Sequence, residues 1–347
     1  MNFDAVKVKN DIVEWIKNWF NENGKGCKGV LGISGGKDSS VVAALLVEAL
    51  GKENVVGVLM PNGEQFDIDV SKEILNKIAI DNTSKGFTVP GVQKKLSLHL
   101  SLDNTPRLTL VNYPTGYILK PQTEEYVALP EMEYLIMRMA QISGIKTVPF
   151  ALLRLPSQDN SFAYITKRID RKDGQKLAME DFCQLDGRLT EDKYRGSYER
   201  CGKIVTSHSS NKGLDLAELF IRIVFSFAIG NSDMHLKNFS LIETNEGSQK
   251  YVLSDAYDML STNVVIPTDK EELALTINGK KQNIRKKDFF VFAQTIGLNQ
   301  KVAEKIIGKI VKLKDKYIVM CRESYMPDDM KITLEKLIEE RIKILEN

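Results

Sequence analysis

The sequence predicts an α+β protein of two lobes, a sheet lobe followed by a helical lobe, with a small α/β βαβ fragment in front. Three observations predict it. Residues 28–60 read strand, helix, strand, which at this length implies a parallel pair. Residues 96–169 carry short alternating or apolar runs around a single helix. From about residue 176 onward the apolar spacing is mainly helical, and strands followed by helices indicate an α+β body.

Taken in order, residues 4–20 place Val6, Ile12, Val13, Ile16 and Phe20 at helical spacing, and Asn23-Gly24 ends that helix. A strand is expected at 28–33, a helix with a continuous apolar face at 37–50, and a strand at 55–60 stopped by Pro61-Asn62-Gly63. Beyond residue 70 the pattern changes, which puts the junction at 66–76. Strands are expected at 96–100, 108–112 and 117–119, a helix at 130–143, and strand-like runs at 148–155 and 162–169. The longest apolar stretch, 214–229, is interrupted by Asp215, Glu218 and Arg222, so it reads as a buried helix and not a membrane span. Residues 330–345 repeat Ile332, Leu334, Leu337, Ile338, Ile342 and Leu345 at helical period, a closing helix.

Composition narrows the function classes. The 347 residues are 43% hydrophobic and 27% charged, as in ordinary globular proteins. A net charge of +2 does not impose a nucleic-acid or membrane footprint, although residues 1–70 sum to −3 and the rest to +5. Four scattered cysteines without a CxxC pair argue against a zinc site or disulfide framework and for reduced cytosolic thiols. The charged N-terminus lacks a signal-peptide core, so a cytoplasmic location without membrane attachment is expected. His99 and His208 have no evident partner and read as structural or solvated. The basic cluster Lys280, Lys281, Arg285, Lys286 and Lys287 reads as a solvated helix start and loop.

Two motif sets carry chemistry. The first is Ser34, Gly35, Gly36, Lys37, Asp38, Ser39 and Ser40, between the first strand and its helix. Glycines there let backbone N–H groups approach a phosphate, and the helix N-terminus favours the anion. It is not a Walker A loop, because Asp38 stands where Ser or Thr should follow the lysine. With the run from Val56 through Met60, Pro61, Asn62, Gly63, Glu64 and Gln65, it resembles the start of the ammonia-dependent NAD synthetases, which are ATP pyrophosphatases with a PP-loop. The resemblance covers about residues 1–70. Two parallel strands and two helices make a poor independent core, so the segment is read as a non-autonomous fragment.

The second set lies in the loop after the buried helix. Asp233 is followed five residues later by Asn238, with His235 and Lys237 between them. That is the spacing at which a kinase aspartate accepts a hydroxyl proton and an asparagine holds Mg²⁺. Asp258, in Leu253-Ser254-Asp255-Ala256-Tyr257-Asp258, stands twenty residues further on, where a second oxygen ligand belongs.

Residues 76–347 resemble the HipA-like serine/threonine kinases, the toxin component of toxin–antitoxin pairs, which have a two-lobed protein kinase-like fold. The resemblance rests on several blocks in chain order. They are Pro90-Gly91-Val92-Gln93-Lys94-Lys95-Leu96-Ser97, Tyr117-Ile118-Leu119-Lys120-Pro121, Glu133-Tyr134, Thr166-Lys167-Arg168-Ile169-Asp170-Arg171, Met179-Glu180-Asp181-Phe182-Cys183-Gln184, the Asp233 loop and Ala256-Tyr257-Asp258. It implies residues 1–70 as the synthetase-like fragment, 71–75 as a junction, 76–169 as the kinase N-lobe and 170–347 as the helical C-lobe.

The resemblance further implies ATP and Mg²⁺ as cofactors. Gly91, Val92, Gln93 and Lys95 would form the loop over the phosphates, Lys120 would grip them and Glu133 would pair with Lys120. Lys167, Arg168 and Ile169 would be the adenine hinge. Asp233 would be the catalytic base, with His235 and Lys237 beside the transferring phosphoryl group. Asn238 and Asp258 would hold the metal. Thr88 occupies the place of a self-phosphorylated hydroxyl, although serine is usual there. Implied partners are a helix-turn-helix HipB-like antitoxin, with DNA reached only through it, and a protein substrate of the aminoacyl-tRNA synthetase class. The family's further N-terminal subdomain is not found in this sequence; in shorter members it is supplied as a separate protein.

Two other readings make different predictions. A ligase-type ATP pyrophosphatase working through Ser34–Ser40 would release AMP and pyrophosphate. A non-catalytic member binding nucleotide or antitoxin would bind ATP equally well without Asp233 and give no phosphoprotein.

Overall fold

The computed structural model describes residues 5–33, 37–59, 96–101, 107–109, 116–155, 161–172 and 175–347. Thr88, Gly91, Val92, Gln93, Lys95, Ser34, Gly35 and Gly36 lie outside the described residues, as do the side chains of Asp38, Ser39 and Ser40. The chain forms two compact units, one of residues 1–89 and 97–113, the other of 90–96 and 114–347. The junction expected at 66–76 falls outside the described residues.

In the first unit, helix α1 (Ala5–Asn23) precedes strand β1 (Gly29–Ile33), helix α2 (Lys37–Leu50) and strand β2 (Val55–Leu59). β1 and β2 pair in parallel with Gly29 opposite Val55, the βαβ unit the sequence predicts. Gly29 permits close packing, since a Cβ there would lie 3.1 Å from Leu50 Cδ1. Parallel strands are normally covered on both faces, yet Val30 and Val56 are exposed, as are Val41, Val42 and Val47 of α2. The Lys9–Glu48 ion pair between α1 and α2 is half-exposed and adds little. Strands β3 (Leu96–Ser101) and β4 (Arg107–Thr109) pair antiparallel.

In the second unit, strands β5 (Tyr117–Pro121), β6 (Phe150–Arg154) and β7 (Phe162–Lys167) pair antiparallel, with β7 between the other two. Helix α3 (Leu129–Ser143) connects β5 to β6. It buries Met132, Glu133, Ile136, Met137 and Ala140, one face at helical spacing, and Glu133 is the charged member of that face. Gly144 closes α3 in the left-handed region, with φ 85°.

The helical part is built on α4 (Tyr198–His208) and α5 (Lys212–Ile229). They are joined by α6 (Lys286–Thr295), α7 (Gln300–Lys312), α8 (Lys314–Arg322) and α9 (Asp328–Glu346). Leu219, Phe220, Ile223, Val224, Phe225 and Phe227 of α5 are fully buried, which makes this helix the centre of the core. Phe220 stacks on Phe292 and Phe227 meets Phe289 edge-on, joining α5 to α6.

The second half of the chain is not purely helical. Strands β8 (Met179–Asp181), β9 (Ser240–Glu243) and β10 (Tyr251–Leu253) form an antiparallel sheet in that order. The sheet sets two loops side by side, the one entering β9 and the one leaving β10. The basic cluster is partly engaged: Lys280 pairs with fully buried Asp288 at 2.9 Å and Lys281 with Glu271 at 3.0 Å. Among the described residues, all four cysteines are free and no helix is long and apolar enough to cross a membrane.

Candidate active site

Lys120 leaves β5 into the interior and is only 3% exposed. An ammonium buried to that extent needs compensating charge. Its Nζ lies 2.6 Å from Glu133 Oε1 on α3 and 2.5 Å from Asp258 Oδ1. Burial alone would lower the Lys120 pKa. The Asp258 and Glu133 carboxylates outweigh burial and hold it above its ordinary value. Of the three predicted roles, the Lys120–Glu133 pair is formed, and Asp258 joins it.

Asp258 is held at φ 59°, the left-handed region that a non-glycine residue seldom adopts. Such a backbone persists where its surroundings impose it. The preceding residues are tied down: Ala256 N–H donates to the Lys146 carbonyl, and Val148 N–H to the Ala256 carbonyl.

The loop carrying Asp233 begins where α5 stops. Gly230 ends the helix at φ 68°, a conformation that favours glycine, and a Cβ there would lie 2.9 Å from the Leu337 methyls and push them aside. Met234 and Leu236 are fully buried and anchor the loop, while Asp233 retains 38% side-chain exposure. Residues 236–238 form a short 3₁₀ turn in which Asn238 Oδ1 accepts the His235 N–H at 3.0 Å. His235 Nδ1 accepts the Lys237 N–H at 3.3 Å, which leaves its proton on Nε2, 3.9 Å from Asp233 Oδ1. Burial, followed by the Lys193 ammonium, pushes the His235 pKa down to about 3, so the ring is neutral. Lys237 Nζ is 3.2 Å from Asp181 Oδ2.

Lys167, Arg168 and Ile169, the predicted hinge, differ in which backbone groups the sheet uses. Lys167 N–H donates to the Pro149 carbonyl and Arg168 N–H to the Gly116 carbonyl, so both donors are used within the sheet. Lys167 and Pro149 face each other in the β6–β7 register, but proline has no N–H to return the bond. Among the described residues, the Lys167 carbonyl therefore receives no return bond from Pro149, and Ile169 N–H has no backbone partner. The Arg168 side chain turns away to clasp Asp170 at 2.9 and 3.0 Å.

Whether this donor set suits a metal follows from its chemistry. Among the described residues, no group of three or more His, Cys, Asp or Glu is placed to hold a metal ion. Asp258 and Asn238 are hard oxygen donors on adjacent loops. That suits Mg²⁺, which takes one or two protein oxygens and completes its shell with phosphate and water.

Several site residues escape sequence reasoning. The Tyr194 hydroxyl donates to Asp233 Oδ1, Asp181 pairs with Lys237, and the Tyr257 hydroxyl donates to the Lys237 carbonyl at 3.1 Å. Buried Arg222 of α5 donates to the Ser254 carbonyl at 2.7 Å and steadies the approach to Asp258. Asp181 and Tyr257 belong to blocks that signalled the family. Tyr194 and Arg222 have no local signal.

Comparison with known proteins places both parts of the chain among known families. The model of the HipA-like C-terminal domain family matches residues 87–317, and that of NAD synthase matches residues 8–89. A Haemophilus influenzae protein named "Putative kinase" is 30% identical over 289 residues, covering 75% of this chain and 82% of that protein. The NH(3)-dependent NAD(+) synthetase of Fusobacterium nucleatum is 46% identical over 61 residues, 18% of this chain and 23% of that enzyme. The fold resembles HipA of Shewanella oneidensis, solved with HipB and its operator DNA, with a TM-score of 0.62. That likeness has 18% identity and covers 82% of this chain and 73% of HipA.

Proposed function

We propose that this chain, which belongs to the family of HipA-like C-terminal domains, transfers the γ-phosphoryl group of ATP to a serine or threonine hydroxyl of a protein. The observation that carries the reading is the buried Lys120 ammonium held between Glu133 and Asp258, next to a loop that presents Asp233 and Asn238. A structural ion pair needs no solvent-facing carboxylate nearby; a phosphoryl-transfer site does, and the Asp233 side chain is 38% exposed.

In this reading the Lys167 carbonyl and Ile169 N–H receive the adenine edge, and Lys120 grips the α- and β-phosphates. Glu133 keeps the ammonium aimed. Asp233 Oδ accepts the hydroxyl proton as the hydroxyl oxygen bonds to the γ-phosphorus and the phosphorus–oxygen bond to the departing ADP breaks. Neutral His235 adds no charge beside Asp233, and Lys237 offsets charge on the transferring group. Mg²⁺, held by Asn238 and Asp258, would neutralise charge building on the phosphates. Positioning and electrostatics carry most of the catalysis in such transfers.

We further infer the N-lobe at 76–169 and the C-lobe at 170–347, a phosphate loop of Gly91, Val92, Gln93 and Lys95, and self-phosphorylation at Thr88. An aminoacyl-tRNA synthetase as substrate and a HipB-like antitoxin as partner complete the reading. The likeness to a HipA solved with HipB supports the partner.

Intact mass after incubation with Mg·ATP, wild type beside Asp233→Ala, tests the kinase reading. Phosphate gained by the wild type alone is the expected result. AMP released in place of ADP would move the chemistry to the Ser34–Ser40 loop and overturn it.

A further inference from the structure

The loop at 233–238 is held from outside by three phenols. Tyr194 donates to Asp233 Oδ1. Tyr198, fully buried on α4, donates to the Met234 carbonyl at 3.0 Å. Tyr257 donates to the Lys237 carbonyl at 3.1 Å and lies 2.6 Å from Ser240 Oγ. A phenol has one proton, so with it on the Lys237 carbonyl the Ser240 hydroxyl donates into Tyr257.

Tyr257 differs from the other two in where it sits. It immediately precedes Asp258, and the carbonyl it holds immediately precedes Asn238. One hydroxyl therefore ties together the two loops that carry the predicted metal ligands. The left-handed backbone at Asp258 adds a reason for such a tie, because that conformation relaxes unless it is held. Mg²⁺ demands near-ideal octahedral geometry, so two oxygen donors from separate loops must keep a fixed separation.

We propose that Tyr257 is a positioning residue that sets Asn238 and Asp258 at a fixed separation, while Tyr198 and Tyr194 hold the other end of the same loop. The inference rests on the kinase reading of the site, and goes beyond it by assigning the geometry to a side chain that touches neither nucleotide nor acceptor.

Tyr257→Phe keeps the ring and deletes the bond. Hydrogen–deuterium exchange across residues 233–238 should quicken, while exchange across α5 stays unchanged. The Mg²⁺ concentration that half-saturates binding of a non-hydrolysable ATP analogue should rise several-fold. ADP release should show kcat lowered about 10- to 100-fold with KM for ATP nearly constant. A general loss of packing would instead lower the melting temperature and quicken exchange in α5 as well. Tyr194→Phe, at a position 40% exposed, is the second variant and should lower kcat with KM unchanged. Unchanged loop exchange with unchanged Mg²⁺ dependence in Tyr257→Phe overturns the proposal. A wild type that releases no ADP counts against the kinase reading, while the exchange comparison still decides the tie.

Discussion

Lys120→Met separates the structural worth of the buried cluster from its chemical worth. The Lys120 and Glu133 side chains are 4% and 1% exposed, and Glu133 cannot rehydrate once its partner is gone. Asp258, at 29%, can in part. Removing one partner of a buried pair costs about 3–5 kcal/mol. In a unit of this size each kcal/mol moves the melting temperature by roughly 2–4 °C. Lys120→Met should therefore melt about 6–20 °C below wild type. The double variant Lys120→Met, Glu133→Met replaces the ion pair by apolar volume, which is often neutral or stabilising. It should recover most of the loss by differential scanning calorimetry, yet bind no ATP. Because the folded ammonium has a raised pKa, its contribution is complete below the unfolded lysine value of about 10.4. It is lost only as pH rises through the folded value. A single variant melting within about 2 °C of wild type, or a double variant no more stable than the single, would refute this account of the cluster.

Three further outcomes follow. Because burial holds the His235 pKa near 3 against an ordinary 6.5, its contribution to stability is complete above pH 6.5 and lost as pH falls toward about 3; in His235→Asn, denaturant midpoints measured across that range should decline less steeply on the acid side. Asp258→Asn should keep the fold, since asparagine tolerates the left-handed region, while calorimetric titration shows Mg·ATP binding weakened more than Mg-free binding. A Cβ at Gly202 would lie 2.3 Å from Ile296 Cγ2 and 2.9 Å from Ile296 Cβ, so Gly202→Ala should lower the urea midpoint by overpacking, by up to about 2 kcal/mol net of its helix-propensity gain; Ile296→Leu, which removes Cγ2 but keeps Cβ, should recover part of that loss.

How much of this was legible differs by element. The helix at 212–229 and the parallel pair in the first unit follow from periodicity, because burial on one face imposes the 3.6-residue spacing and strand lengths show in apolar runs. Strands β8, β9 and β10 are three or four residues long, too short for a period to register, and a reading of mainly helix passes over them. In the site, Asp233, Asn238 and Asp258 are legible because loop chemistry needs those residue types at set spacings. Lys120 opposite Glu133 is legible only through the family resemblance. That Asp258 also reaches Lys120, 138 positions away, is a tertiary fact with no local trace. The same holds for Tyr194 and Arg222. Lys280 keeps a side chain 38% exposed, as a solvated basic cluster implies, but nothing in a run of basic residues announces that it pairs with fully buried Asp288, eight positions on.

On the kinase reading, the proline just before β6 bears on which base would fit beside Lys167. Among the described residues no backbone donor returns a bond to the Lys167 carbonyl, since Pro149 has no N–H, and an acceptor in that state rewards a ligand that brings a donor. An exocyclic amine on the facing edge of a purine meets it; a carbonyl in the same place puts two acceptors head to head and leaves both unsatisfied. On that reading, a missing N–H in one strand would favour amino over oxo purines through the backbone alone. Restoring that N–H, by any residue but proline, would let the sheet close its own ladder at the ligand's expense.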